Sequence, residues 1–156
     1  MQAGNRGDRY GRIFLDTNVY IIGAGDFNSP EGKILLWLGF EEEREDAPEV
    51  ILSQELIKQI LRVGKRLKGK DWAGSLITRI WQNFHIVYVL INENSALREE
   101  AKTFIPREDV DIYLTAKQGK ANFFISSNHE LIRSAVAKTK DFQCLTPEEF
   151  VRRVLL

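Results

Sequence analysis

Short apolar runs alternate with helical periodicities along this chain, and that alternation restricts the fold more than any other feature. Arg12-Ile13-Phe14-Leu15, Val50-Ile51-Leu52, Phe84 through Leu90, Ala121 through Ser126 and Phe142 through Leu145 read as strands, several of them rich in β-branched and aromatic residues. Between them lie segments with apolar residues three and four apart. Ser29-Pro30-Glu31 has the form of a helix start, and Ile34, Leu35 and Leu38 follow on one face. Ser53 caps a helix carrying Leu56, Ile57, Ile60 and Leu61. Lys65 to Lys70 reads as a basic, glycine-containing hinge before a second helix, Trp72 to Trp81. Further helices are expected from Asn94 through Phe104, from Asp109 through Lys117, over Glu130 to Ala137 and over Pro147 to Leu155. Strands separated by helices imply an α/β fold: a parallel sheet of about four to five strands with helices on both faces.

The bulk properties agree with one such domain. The chain has 156 residues and 44% hydrophobic content, enough for a substantial core. Its 22 basic and 22 acidic residues cancel, which argues against a surface coated for non-specific nucleic-acid binding but permits a local patch. One cysteine, Cys144, excludes an intramolecular disulfide framework and suits a reducing cytoplasm, where it would serve as a small apolar filler in the last strand. No apolar run approaches the roughly 20 residues of a membrane span. Residues 1–10 are polar and glycine-containing and read as a flexible N-terminal arm; the domain occupies 11–156.

Polar residues gather where the strands give way to helices. Asp16 closes the first strand, Ser53-Gln54-Glu55 follows the second, and Ser126-Ser127-Asn128 follows the fourth, while Asp109 and Asp111 lie at a helix start. In an open parallel sheet these positions line the carboxyl edge, where ligands bind. Clustered carboxylates repel one another and persist mainly around a cation, and oxygen-only ligation points to Mg²⁺ or Mn²⁺. A metal beside helix N-termini that can receive a phosphate suggests phosphodiester chemistry.

Four segments carry a resemblance to a known family: Ile13-Phe14-Leu15-Asp16-Thr17-Asn18, Leu52-Ser53 through Gln59-Ile60, Asp109 through Ala116-Lys117, and Phe124-Ile125-Ser126-Ser127-Asn128. Together with Leu145-Thr146-Pro147-Glu148-Glu149-Phe150, they make the chain resemble a PIN domain, the fold of VapC-type toxin ribonucleases, over nearly its whole length. The resemblance implies a site of four acids around Mg²⁺. Asp16 matches the first and Asp109 the third. The second and fourth positions, usually acidic, hold Gln59 and Asn128. Ser126 matches a supporting hydroxyl, and Asn18 a polar residue beside the first acid.

An amide oxygen can still coordinate Mg²⁺, but loss of a unit charge about 2 Å from a divalent ion is worth about 4 kcal/mol even in water. Asp16 and Asp109 alone could hold one ion, completed by water and substrate phosphate. Gln59 and Asn128 are the expected remaining site residues. Glu55, one turn before Gln59, and Glu130, two residues after Asn128, are auxiliary acids, as is Asp111, although two residues turn it about 200° from Asp109. Acids in first helical turns also favour the helix dipole without any other role. His85, at the start of an apolar strand, reads as a satisfied or edge histidine, and His129 as an exposed helix-start residue.

Lys58, Arg62, Lys65, Arg66, Lys68 and Lys70 crowd six positive charges onto the helix of Gln59 and the turn after it. Lys58, Arg62 and Lys65 form one stripe that could track a phosphate backbone, or simply a solvated face. The resemblance implies a Mg²⁺- or Mn²⁺-dependent endoribonuclease acting on single-stranded RNA, or a degenerate module that only binds RNA or a protein partner. An antitoxin-like partner and a homodimer are further implications of the likeness, and cytoplasmic localisation is expected.

Overall fold

The structure, a computed structural model, describes residues 10–91, 95–134 and 139–156. Five strands, β1 (Arg12–Leu15), β2 (Glu49–Ser53), β3 (His85–Val89), β4 (Phe123–Ile125) and β5 (Gln143–Leu145), form one all-parallel sheet in the order β3-β2-β1-β4-β5. The chain winds from β1 outward through β2 to β3, then crosses back to add β4 and β5 on the other side of β1. The winding direction therefore reverses between β1 and β4, and a parallel sheet opens its ligand crevice at such a point. Ile13, Phe14 and Leu15 are completely buried, as strands covered on both faces must be. Phe14, Phe124 and Phe142 stack in sequence, with centroid separations of 4.8 and 5.4 Å, and fix β1 against β4.

Eight helices accompany the sheet among the described residues: α1 (Thr17–Gly25), α2 (Pro30–Trp37), α3 (Gln54–Lys68), α4 (Lys70–Asn83), α5 (Ser95–Lys102), α6 (Val110–Gln118), α7 (His129–Ser134) and α8 (Pro147–Phe150). A 3₁₀ turn, Arg107–Asp109, leads into α6, and a π-helical turn, Val151–Leu155, extends α8. Ser29 and Ser53 cap α2 and α3 as expected, accepting from Gly32 N at 2.9 Å and Leu56 N at 3.2 Å.

Three expectations need correction. The first strand stops at Leu15, and Asp16 is the N-cap of α1, a helix that the sequence reading did not anticipate. Val19, Tyr20, Ile21 and Gly23 of α1 are all buried, so it lacks the one-sided polarity that marks a surface helix. The basic hinge reduces to Gly69, whose φ of 99° turns α3 directly into α4, while Lys65 to Lys68 remain helical. Finally, the C-terminal helix changes to π-type hydrogen bonding at Val151. The arm over residues 1–10 lies outside the described residues except for Tyr10, whose ring meets Trp37 edge-on at 5.3 Å. The ends of two expected helices, at Asn94 and over Ala135 to Ala137, also fall outside them.

Candidate active site

The site begins where β1 and β4 end together. Asp16 N donates to Ile125 O at 2.9 Å, extending the β1–β4 ladder by one residue and drawing the Asp16 side chain into the crevice. Its carboxylate is 8% exposed and is held at both oxygens: Thr17 N donates to Oδ1 at 2.8 Å, and Ser126 Oγ donates to Oδ2 at 2.7 Å. Burial raises the carboxyl above its ordinary range, against the opposing pull of the Ser126 and Thr17 hydrogen bonds.

Asp109 lies in the turn before α6, near enough to Asp16 to feel its charge. It occupies the N-cap position of α6, yet its side chain makes no capping hydrogen bond there. The helix-cap explanation for this acid therefore does not hold. Burial, followed by the negative charges of Asp16 and Glu108, pushes its carboxyl up to about 6. Two carboxylates thus repel each other at the switch point: one is satisfied by neutral donors, and the other is half-buried without a capping role. Such a pair has an excess of acceptors and a deficit of positive charge.

The two amides are tied into the support of Asp16. Thr17 Oγ1 donates to Gln59 Oε1, bringing α3 to the start of α1. Asn128 N donates to Ser126 Oγ at 3.0 Å, while Asn128 Oδ1 accepts from Leu131 N at 3.1 Å and caps α7. One connected chain of hydrogen bonds therefore runs from Gln59 through Thr17, Asp16 and Ser126 to Asn128. Sequence reasoning named Gln59, Asp16, Ser126 and Asn128 but gave Thr17 no role; its place directly after a buried acid was the available signal.

The auxiliary residues divide: Ser126 supports Asp16, Glu55 and Asp111 line a cleft beside Gln59, and Asn18 and Glu130 are exposed on the helices after β1 and β4. Asp111 pairs with Arg98 at 2.8 Å. It also lines an open cleft of about 310 Å³ between α3 and α6, together with Glu55, Lys58, Gln59, Arg62, Glu108 and Ile112. Glu55 and Gln59 share this helix face, as their spacing predicts, and the cleft brings Lys58 and Arg62 beside Gln59. Lys65 and Arg66 are exposed further along α3, as is Asn18 on α1. Glu130 lies exposed in the first turn of α7. His85 is satisfied by Arg44 O at 2.6 Å, and His129 is exposed at the start of α7.

Two further contacts escaped sequence reasoning. Ser53 Oγ meets Thr115 Oγ1 at 2.8 Å, and Thr115 Oγ1 donates to Asp111 O at 2.8 Å. A threonine hydroxyl has one proton, so Ser53 is the donor in the first of these bonds. This fully paired, buried link locks α3 to α6 and hence sets Gln59 against the acidic turn. The other contact is from Ser127 Oγ to Glu31 Oε2 at 2.9 Å, which fastens α2 to the turn after β4. With the partners 96 positions apart, no local pattern announces it.

The donors available to a cation are hard oxygens. Asp16 and Asp109 can supply two carboxylates, which suits Mg²⁺ or Mn²⁺ completed by water and phosphate. Among the described residues, no group of three or more His, Cys, Asp or Glu side chains is arranged to hold a metal ion.

No family model matches the chain, and no curated protein does. Among solved structures it is similar to a chain in the crystal structure of VapBC2 from Rickettsia felis bound to a DNA fragment from their promoter. The TM-score is 0.59 at 14% identity, over 86% of this chain and 98% of that one. A likeness at this identity speaks to fold, and the architecture is that of a single PIN-like α/β domain. Among the described residues no helix is long and apolar enough to cross a membrane.

Proposed function

We propose that this chain is a PIN-like nuclease that hydrolyses single-stranded RNA with one Mg²⁺ or Mn²⁺ held by Asp16 and Asp109. The observation that carries this reading is the pairing of a buried, doubly bonded Asp16 with a half-buried Asp109 at the sheet's switch point. Such mutual repulsion is relieved by a cation. When bound, the ion would supply charge neutralisation at a phosphodiester and a more acidic water. The chain's own residues do the positioning. Ser126 and Thr17 orient the Asp16 carboxylate, and the Ser53–Thr115 link holds α3 against α6. Lys58 and Arg62 line the adjoining cleft, where they would meet the flanking backbone phosphates. A protein partner of the antitoxin class belongs to this reading, supported by the fold shared with a chain of a VapBC2 assembly.

Incubation with a fluorescent single-stranded oligoribonucleotide and millimolar Mn²⁺ tests the proposal. Cleavage is expected from the unmodified protein, with loss on Asp16→Ala and on chelation. Absence of metal-dependent cleavage, or equal cleavage by Asp16→Ala, would overturn it.

A further inference from the structure

Gln59 and Asn128 occupy the two positions at which the site differs from a four-acid arrangement, and both have their oxygens engaged. Asn128 Oδ1 receives the Leu131 N–H. Because a backbone N–H needs an acceptor, this bond fixes the amide with its NH₂ group on the opposite side. Gln59 Oε1 receives the Thr17 hydroxyl, which leaves its Nε2 group free of that contact. The side-chain hydrogen bonds of both amides among the described residues are made through their oxygens, to Thr17 Oγ1 and to Leu131 N.

A carboxylate at either place could keep the same bond and would present a second oxygen where the amide presents two N–H donors. The exchange of acid for amide therefore reverses the polarity of the free side-chain atom and leaves the local support intact. Both amides reach Asp16 through one intervening residue, Thr17 on one side and Ser126 on the other. The Asp16 carboxylate is thus flanked along this chain of hydrogen bonds by two amides, Gln59 facing the cleft between α3 and α6 and Asn128 exposed at the start of α7. Lys58 and Arg62 extend the donor side along α3.

We infer that Gln59 and Asn128 are phosphate-binding residues, whose NH₂ groups donate to non-bridging oxygens of the backbone phosphates of bound RNA. The inference rests on the nuclease reading for its substrate, but it assigns these residues to the anion and not to the metal. A hydrogen bond to a charged group typically contributes about tenfold or more in affinity.

The test uses the full chain in EDTA, with a single-stranded oligoribonucleotide and, separately, inorganic phosphate as probes. The side-chain NH₂ resonances of Gln59 and Asn128 are assigned by their loss in Q59E and N128D, and followed by ¹H–¹⁵N NMR. Both pairs should shift saturably with the oligonucleotide, and phosphate should move the same signals. N128D should weaken oligonucleotide binding by about tenfold or more, since it replaces a donor with a charge that repels phosphate. Asp caps a helix as well as Asn does, so N128D keeps its fold; N128S retains a cap and removes the donor without adding charge. N128S should fall between the two.

If RNA binds and is cleaved while neither NH₂ pair moves and N128D binds as tightly as the unmodified chain, this assignment is overturned and the nuclease reading stands. Higher Mn²⁺-dependent activity in the Q59E/N128D double variant, with undiminished RNA affinity, would overturn it in the same way. Saturable shifts without any cleavage by the unmodified chain would support phosphate binding and overturn the nuclease reading alone.

Discussion

Replacing Asp109 by Asn should make the metal-free protein more stable at neutral pH, the reverse of the usual effect of altering a half-buried residue. Asp109 is raised from 3.8 to about 6 by burial and by the charges of Asp16 and Glu108. The folded protein therefore binds this proton more tightly than the unfolded chain does. Its contribution to stability is greatest below about pH 4, falls as pH rises toward 6, and stays low above that. A change of that size corresponds to about 3 kcal/mol at full linkage. Asp109 is only half-buried, and solvent screening reduces the figure to roughly 1 kcal/mol. In EDTA at pH 7.5, Asp109→Asn should thus raise the thermal midpoint by about 2–4 °C, and the gain should shrink at pH 5. Added Mn²⁺ should reverse the order, because a ligand that binds only the folded state stabilises it in proportion to its occupancy. Thermal unfolding followed by circular dichroism reads all three conditions. A variant equal to or less stable than the unmodified protein at pH 7.5 in EDTA would refute the claim that the two carboxylates repel across the crevice.

Other perturbations have defined outcomes. Ser126→Ala removes the hydroxyl that donates to Asp16 and accepts from Asn128 N, and urea unfolding should show a loss of about 1–3 kcal/mol. Tyr20→Phe should be neutral or stabilising by up to about 1 kcal/mol in the same assay, since the Tyr20 hydroxyl is buried with no hydrogen-bond partner among the described residues. Gly32→Ala would put a methyl group 2.4 Å from Asp26 O and 2.5 Å from Phe27 Cα, both backbone atoms, and should cost about 1–3 kcal/mol. Arg62→Ala should lower the slope of log affinity against log salt for single-stranded RNA by about 0.7, while an alanine at the distant Arg79, which pairs with Glu41, should leave it unchanged.

The parts of the fold legible in the sequence are those governed by local chemistry. Ser29 and Ser53 announced their helices because a cap is a contact within three residues. The strands announced themselves because a parallel sheet buried on both faces demands continuous apolar runs. Helix α1 escaped because the same property hides it: with Val19, Tyr20 and Ile21 all buried, its apolar residues surround the axis instead of forming a stripe. The candidate site was legible as positions more than as contacts. Asp16, Asp109, Gln59, Asn128 and Ser126 were all named, and the structure joins Asp16, Gln59, Asn128 and Ser126 through hydrogen bonds and sets Asp109 against Asp16 by charge. What no local pattern supplied was the direction of those bonds. That the Gln59 oxygen faces Thr17 depends on how α3 meets the start of α1, whereas the Asn128 oxygen is set by a local cap to Leu131. The Ser53–Thr115 and Glu31–Ser127 links, spanning 62 and 96 residues, are long-range products of the same packing.

The claim at the centre of this account is that Asp16 and Asp109 together form a cation site. Calorimetric titration of the metal-free protein with Mn²⁺ at pH 7.5 addresses it directly. One binding event is expected for the unmodified chain, weakened by at least an order of magnitude in Asp109→Asn and in Asp16→Asn. No binding at millimolar Mn²⁺, or binding that both variants leave unchanged, would contradict it.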